Sequence, residues 1–100
     1  MTEALGIIET TGFTAGIQAA DAAVKSASVK LAKWVKVGGG RVGIVIRGDV
    51  ASVKAAVEAG SQAASSIGSV EAEIIIARPS EKLLQKFPLE VIKPEKKQGK

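Results

Sequence analysis

The sequence contains no cysteine and no histidine among its 100 residues. These absences exclude disulfides, thiol nucleophiles, iron–sulfur ligation and the usual zinc ligand sets, and they remove the side chain that most often carries protons near pH 7. The carboxylates stand singly at predicted helix caps, on helix flanks or in exposed strand positions, a pattern that does not indicate acid–base catalysis. We therefore expect no catalytic residue, no metal site and no cofactor, and the chain is not predicted to be an enzyme.

Aromatic residues are also scarce, and comprise Phe13, Trp34 and Phe87 alone. Alanine, valine and isoleucine dominate instead, which predicts a core of small and β-branched side chains with close contact between helices and sheet. Trp34 could stack on a nucleic acid base, but it stands on a predicted strand without a partner aromatic or a basic platform. We therefore interpret Trp34 as a packing residue.

Most of the net positive charge lies at the end of the chain. The net charge is +4. Four lysines against Glu95 place +3 of it within residues 93–100, so that +1 remains for residues 1–92. The body therefore lacks a basic face that could follow phosphates, and no nucleic acid partner is expected. The composition predicts a domain over residues 1–92 and a disordered basic tail over residues 93–100.

The length of the chain fits one domain, and a domain of this size gains further burial by associating with copies of itself. The first residues lack the basic and apolar regions of a signal peptide, and no apolar run approaches the roughly 20 residues that span a bilayer. We therefore expect a cytoplasmic protein that has no membrane partner.

The predicted order of elements is strand, helix, strand, hairpin, strand, helix, strand and a short last helix. Thr14 is expected to cap the first helix, and Asp49 and Gly68 to cap the two ends of the second. This order predicts an α/β (α+β) fold of the ferredoxin-like βαββαβ type, with both long helices on one side of an antiparallel sheet. Residues 87–92 are expected to pack back on it. The predicted strands are Ala4–Thr10, Ser28–Val37, Arg41–Arg47 and Val70–Arg78, and the predicted helices are Ala15–Ala27, Val50–Ile67 and Glu81–Lys86.

Apolar spacing predicts the buried faces of these elements. Lys33 interrupts the apolar face of the second strand, so either a bulge near Lys33–Trp34 shifts the phase or the lysine reaches out at an edge. The run Ile74–Ile76 is apolar on both faces, as in a central or an interface strand. The predicted stripes are Ile17, Ala20, Val24 and Ala27 in the first helix, Val50, Val53, Val57, Ala64 and Ile67 in the second helix, and Val29, Leu31, Val35 and Val37 in the second strand.

Three consecutive glycines, Gly38–Gly40, join the second and third strands. Because glycine takes positive φ without a Cβ penalty, the run predicts a hairpin tip that exposes backbone N–H and C=O groups. The run lacks the Lys-Ser/Thr of a phosphate-binding loop and precedes a strand instead of a helix. The tip either binds or lines something, or it is a tight turn without a further role.

Several short motifs follow one another along these elements. They are Ala4-Leu5-Gly6, Glu9-Thr10, the helix segment 19–27, Lys36-Val37-Gly38-Gly39-Gly40, Arg47-Gly48-Asp49-Val50 and Ile75-Ile76-Ala77-Arg78-Pro79. Together they resemble the hexamer-forming shell proteins of bacterial microcompartments, and the resemblance runs from about residue 4 to residue 89. It implies a ferredoxin-like variant whose cyclic hexamers tile edge to edge into the shells of carboxysomes and metabolosomes, together with other shell proteins and around encapsulated enzymes.

The resemblance also implies roles for particular residues. It makes Lys25 the edge lysine and Arg78 the arginine that reaches across the edge between hexamers. Two positions depart from the pattern of the family, since Gly39 stands where serine is most frequent and Ser80 where histidine is usual. Arg41 is nearer to carboxysomal relatives and residues 22–27 to metabolosome types, so the resemblance does not decide which microcompartment the chain belongs to. The implied pore residues are Lys36, Val37, Gly38, Gly39, Gly40 and Arg41.

A rival interpretation from another class also fits the predicted fold, because a fold of this kind does not fix function. A ferredoxin-like oligomeric regulatory protein would hold a small anionic ligand at clefts between subunits. Mass in solution separates the two, since a shell protein forms sheets or tubes and a regulator stays a soluble dimer or trimer.

Overall fold

The computed structural model describes residues 3–86, and its order of elements confirms the predicted one. The predictions for residues 87–92 and for the tail lie outside the described residues. The elements are β1 (Ala4–Thr11), α1 (Phe13–Ser26), β2 (Val29–Gly38), β3 (Arg41–Gly48), α2 (Val50–Ser65), β4 (Ser69–Ile76) and the short α3 (Glu81–Lys86).

The four strands form one sheet in the order β2-β3-β1-β4, and every pairing in it is antiparallel. This topology confirms the ferredoxin-like prediction. It also makes β4 an edge strand, so the suggestion of a central strand for Ile74–Ile76 is wrong. Ile74 and Ile75 remain 44% and 39% exposed, which agrees with the other suggestion, an interface strand.

Both long helices pack on one face of the sheet, and small residues let them approach closely. A Cβ added at Gly6 of β1 would lie 2.7 Å from Val53 Cγ1 of α2. A Cβ at Gly60 of α2 would lie 2.8 Å from the carbonyl oxygen of Ala19 in α1. The predicted close contact between helices and sheet is therefore present. The largest fully buried apolar side chains are Leu5, Ile8, Ile44, Ile46, Val53 and Val57.

The opposite face of the sheet carries a smaller apolar cluster of Leu5, Ala32 and Val45, against which Leu83 of α3 packs. In this way the short helix covers part of the face that the long helices leave open. Arg47 lies on this face too and is buried, with 7% of its surface exposed.

The predicted buried face of α1 is partly wrong. The helix begins at Phe13 with Gly12 as its N-cap, instead of Thr14, and no side chain caps it. Ile17 and Val24 are 49% and 40% exposed, because they lie on a different side of the helix from the residues that face the sheet. A Cβ at Gly16 would lie 2.9 Å from Cγ1 of Val42. The residues that α1 buries are Ala15, Gly16, Ala19 and Ala23.

The start of α2 confirms the predicted cap. Asp49 Oδ1 accepts a hydrogen bond from the Ser52 N–H at 2.9 Å, and Asp49 Oδ2 accepts one from the Ser52 hydroxyl at 2.9 Å. Because these bonds favour the charged carboxylate, they lower the pKa of Asp49 below its usual value. The capping carboxylate also meets the positive end of the helix dipole.

The predicted stripe of α2 is right in the middle of the helix and wrong at its ends. Val53, Val57 and Ala64 are buried, whereas Val50 is 40% and Ile67 is 52% exposed. The C-cap is Ser66, not Gly68. Gly68 is small for another reason, since a Cβ there would lie 2.8 Å from the Ala15 Cβ.

A bulge in β2 accounts for the position of Lys33. Leu31 pairs with Ile46 and Lys33 with Val45, so one extra residue, Ala32, is inserted one position earlier than predicted. The insertion confirms the bulge over the snorkelling alternative. It also reverses the phase of β2 beyond it, so the prediction that Val29, Leu31, Val35 and Val37 share one face is wrong.

Candidate functional site

The three glycines form the turn of the β2–β3 hairpin, and we call Gly38–Gly40 the glycine tip. Their φ angles are 111°, 63° and 81°, all in the region that glycine favours. An added Cβ at any of the three would find no atom within 4 Å, so conformation and not crowding requires glycine here. The tip therefore presents backbone to solvent, as the sequence predicted.

The glycine tip is tied to the turn between β1 and α1. The Gly12 N–H donates a hydrogen bond to the Gly40 carbonyl oxygen at 2.7 Å. A concavity of about 500 Å³ lies between the two segments and is lined in part by Phe13, Lys36 and Val42. The candidate pore residues and the start of α1 are thus parts of one surface.

Two cations accompany the glycine tip, but they differ in their partners. Arg41 Nη1 lies 3.8 Å from Glu9 Oε2 on the neighbouring strand β1, so a carboxylate stands beside its charge. Lys36 is exposed and forms no ion pair with any residue in the range 3–86. Lys36 is therefore the main positive charge that each chain contributes near the tip.

The two candidate edge residues lie at the end of the sheet away from the glycine tip. Lys25 is in the last turn of α1, shortly before Val29, which pairs with Gly48. Arg78 is exposed and follows Ile76, the last residue of β4, which pairs with Leu5 at the start of β1. Lys25 Nζ forms an ion pair with Asp21 Oδ2 at 3.0 Å within α1. The structure thus separates the candidate edge residues from the tip by the length of β1.

One lateral edge of the domain exposes an apolar stripe, and the sequence analysis assigned two of its residues, Ile17 and Val24, to the buried face of α1. Phe13, Ile17 and Val24 are spaced so that they share one side of α1, and all three are at least 40% exposed. The Phe13 ring meets the Trp34 ring of edge strand β2 edge to face, with centroids 5.6 Å apart. Trp34 therefore does have an aromatic partner, contrary to the sequence analysis. Helical spacing could not separate this stripe from a core stripe.

The other lateral edge is apolar as well, but different residues form it. Edge strand β4 exposes Ile74 on one face and Ile75 on the other, and Ile67 follows the end of α2, beside the start of β4. The apolar run Ile74–Ile76 was the sequence signal for this edge. A single chain thus exposes two dissimilar apolar edges on opposite sides of its sheet.

The part of the chain that the structure describes offers few groups for metal binding or membrane insertion. Residues 3–86 contain no group of three or more histidine, cysteine, aspartate or glutamate side chains that could hold a metal ion. Within the same range no helix is both long and apolar enough to cross a membrane. The glycine tip and the two apolar edges are therefore the features on which a function can be built.

Comparison with known proteins identifies the family. The chain matches the BMC domain family over residues 4–79. It is 53% identical to the bacterial microcompartment shell protein PduA of Citrobacter freundii over 87 residues, which is 84% of this chain and 94% of that protein. It is 47% identical to the carboxysome shell protein CcmK2 of Synechocystis over 91 residues, which is 89% of this chain and 88% of that protein.

A solved structure agrees with these matches. The crystal structure of a microcompartments protein from Desulfitobacterium hafniense superposes with a TM-score of 0.77 at 38% identity. The match covers 85% of this chain and 48% of that longer one, so the chain spans about half of it. On the family match and on identities near 50%, the chain belongs to the BMC domain family of bacterial microcompartment shell proteins.

Proposed function

We propose that this chain forms cyclic hexamers that tile edge to edge into the facet of a microcompartment shell, with a central pore for small polar metabolites. The proposal rests on one observation. A single chain exposes two dissimilar apolar edges at the two sides of its sheet, and the glycine tip lies at one end of the same sheet. The microcompartment and its pathway stay open, since the relatives include PduA, EutM and carboxysome proteins.

The difference between the two edges favours a ring. A symmetric dimer buries the same patch on both partners, whereas a patch that fits a different patch joins copies head to tail. The α1–β2 edge with Phe13 and Trp34 would meet the β4 edge with Ile75 of the next copy. Repeated by rotation, such contacts close a ring. The resemblance to shell proteins implies that the ring has six subunits.

In such a ring the glycine tips surround the axis and form the pore. Backbone N–H groups of successive glycines can hydrogen-bond an acceptor in a passing molecule. Lys36 adds one positive charge per chain, which at ~10 Å in water is worth about 0.4 kcal/mol, or ~0.1 kcal/mol after screening. Six copies give roughly 0.7 kcal/mol, about a threefold enrichment of a monoanion over a neutral molecule. Size therefore does most of the selecting.

The outer rim of the ring carries the contacts between hexamers. Lys25 and Arg78 lie at the end of the sheet away from the glycine tip, which is where a rim residue must be if the tip is on the axis. An exposed ion pair or hydrogen bond is worth little by itself. It gains weight in a lattice, where every hexamer repeats it along each of its sides.

The remaining assignments are part of the same proposal. The shell domain extends over residues 1–92, and residues 93–100 form a basic tail that assembly does not need. Other shell proteins and the encapsulated enzymes are its partners, and the chain itself is not an enzyme. Relatives named as shell proteins, PduA and EutM among them, favour this role over that of an anion-binding regulator.

Size and microscopy test the proposal together. Expressed alone, the chain should sediment as assemblies far heavier than a hexamer, and negative-stain images should show flat sheets or tubes with a sixfold lattice. A soluble dimer or trimer at every salt concentration would contradict the proposal. That outcome would instead support the regulatory alternative, which a binding assay with inorganic phosphate would then examine.

A further inference from the structure

We infer that Gly12 is a positioning residue for the glycine tip. Its N–H fixes the direction of the Gly40 carbonyl, and thereby the shape and polarity of the surface that the tip presents. The consequence for passage of solutes rests on the proposed pore, whereas the anchoring of the tip does not.

The glycine tip has no side chain that could hold it in place by packing. No atom lies within 4 Å of a Cβ built at Gly38, Gly39 or Gly40, and the tip borders a concavity of about 500 Å³ that Gly12 and Phe13 also line. A hairpin turn of three glycines also has the greatest backbone freedom of any sequence. Its position must therefore come from hydrogen bonds and from the strands that it joins.

The bond to Gly12 supplies that anchor. The β1–β3 pairing ends at Thr11 opposite Arg41, so the Gly12–Gly40 bond extends the ladder by one further pair, into the tip itself. It turns the Gly40 carbonyl oxygen back toward the β1–α1 turn. One strong acceptor is thus withdrawn from the exposed surface of the tip, which leaves that surface richer in N–H donors and better suited to an anion.

Gly12 is itself held in an unusual conformation. Its φ of 102° and ψ of 132° are close to a region that is essentially restricted to glycine. The carbonyl oxygen of Gly12 accepts from the Gly16 N–H at 3.2 Å and from the buried Thr10 hydroxyl at 3.3 Å. The first turn of α1 and the end of β1 therefore set the orientation of Gly12, and Gly12 sets that of Gly40.

A pair of glycine substitutions tests the inference. No atom lies within 4 Å of a Cβ built at Gly12, so Gly12→Ala acts through φ alone and should turn the N–H away from Gly40. Gly43→Ala is the matched control, because a Cβ there makes ordinary contacts, the nearest being 3.8 Å from Val37 Cγ2. If Gly12→Ala does not fold, Thr10→Val removes the hydroxyl that orients Gly12, and Thr10→Ser restores it.

The first measurement is amide exchange in the assembled protein, followed by solid-state NMR. In the unaltered chain the Gly12 amide should exchange slowly. In Gly12→Ala the amide of residue 12 should exchange roughly fivefold faster, as expected for one lost hydrogen bond. The signals of Gly38–Gly40 should shift in Gly12→Ala and Thr10→Val and stay in place in Gly43→Ala and Thr10→Ser. Fast exchange at Gly12 in the unaltered chain, or equal shifts in Gly12→Ala and Gly43→Ala, would overturn the inference.

The second measurement is potassium chloride conductance through the protein in a planar bilayer. Gly12→Ala should broaden the distribution of single-channel conductances, because a released tip samples several positions, whereas Gly43→Ala should match the unaltered chain. If the Gly12 amide is protected but the unaltered chain shows no conductance, the proposed pore is contradicted and the anchoring of the tip by Gly12 is still supported. Identical conductance distributions in all variants would contradict a role for Gly12 in passage.

Discussion

The buried guanidinium of Arg47 donates a hydrogen bond from Nε to the carbonyl oxygen of Ala4 at 3.1 Å. Its Nη2 donates another to the carbonyl oxygen of Glu3 at 2.9 Å. These carbonyls belong to the first residue of β1 and to the residue before it, so a side chain from central strand β3 fixes the point at which the other central strand enters the sheet. The Arg47-Gly48-Asp49-Val50 motif therefore contains a structural arginine.

We predict that Arg47→Met lowers the free energy of unfolding by about 2–3 kcal/mol, because it leaves the buried carbonyl of Ala4 and the partly buried carbonyl of Glu3 without their charged donor. Arg47→Lys should also destabilise, since one ammonium cannot reproduce the fork of donors. Lys30→Met is the matched control, since it removes an exposed ion pair of 3.8 Å to Glu3. Its effect should stay within about 0.5 kcal/mol. Urea unfolding at one fixed protein concentration measures the free energy of unfolding of each variant. Equal losses of stability in Arg47→Met and Lys30→Met would contradict the structural role of Arg47.

The cap of α2 should make stability depend on pH. Because hydrogen bonds from Ser52 lower the pKa of Asp49 in the folded chain, the carboxylate stabilises the fold at pH values above its unfolded pKa. This contribution is lost as the pH falls through the lower, folded pKa. Asp49→Asn keeps a capping side chain without a titrating group, so the melting temperature of the variant should approach that of the unaltered chain between pH 7 and pH 3.

Asp49→Ala provides the comparison for that experiment. It should lower the melting temperature at pH 7, since the Ser52 N–H loses its acceptor. Melting followed by circular dichroism across the pH range measures both variants. If the melting temperature of the unaltered chain exceeds that of Asp49→Asn by more at acid pH than at pH 7, the prediction that the charged carboxylate stabilises the fold would be contradicted.

Features that depend on local chemistry could be predicted from the sequence. The glycine run forces a hairpin tip because few other residues take positive φ, and Asp49 caps α2 because its carboxylate reaches the N–H three residues later. The order of apolar runs then limits the topology to a few arrangements. The fold class and the position of the tip follow from these signals.

Features that depend on distances between elements could not be predicted. Ile17 and Val24 have the spacing of a core stripe, and spacing alone does not show that α1 turns a different side, made of small residues, to the sheet. One inserted residue, Ala32, reverses the phase of β2 beyond it. The bond between Gly12 and Gly40 joins positions far apart in sequence, and only the register of β1 with β3 brings them together.

Contacts at the rim should be separable from contacts within the ring. Lys25→Asp or Arg78→Ala should leave hexamers intact and prevent sheets, because each removes a weak contact that a lattice repeats. Lys54→Asp on the exposed side of α2 is the control for Lys25→Asp, because it makes the same charge change. Sizing chromatography and electron microscopy measure the two levels of assembly. Monomers in either rim variant, or ordered sheets that persist, would show that these residues lie elsewhere.

Removal of residues 93–100 should not affect assembly. The segment contains four lysines and no large apolar side chain that could anchor it on a neighbour. Chains truncated after residue 92 should form the same sheets at the same protein concentration, with a lower isoelectric point. Failure of the truncated chain to assemble, while the full chain does so in parallel, would mean that the tail contacts a partner.

A large side chain at the centre of the glycine tip should close the pore. Gly39→Trp places six indole rings around the proposed axis, and nothing in the described part of the chain lies within 4 Å of a Cβ at that position to oppose them. Gly39→Ser carries a similar backbone cost at a φ of 63° but adds a small side chain, so it separates strain from obstruction. Both variants should still form hexamers, because the apolar edges are unchanged.

The measurement is flux of a small polar substrate into shells that enclose an enzyme able to report its arrival. Shells built with Gly39→Ser should admit the substrate nearly as the unaltered shells do, and shells built with Gly39→Trp should lose most of the flux. Broken shells release the enzyme, so its retention after sedimentation confirms that each preparation is closed. Because charge around the tip is worth only about a threefold preference, a neutral and an anionic substrate should be blocked alike. Unchanged entry in closed Gly39→Trp shells would show that substrates cross the shell by another route, and the assignment of the glycine tip as the pore would fall.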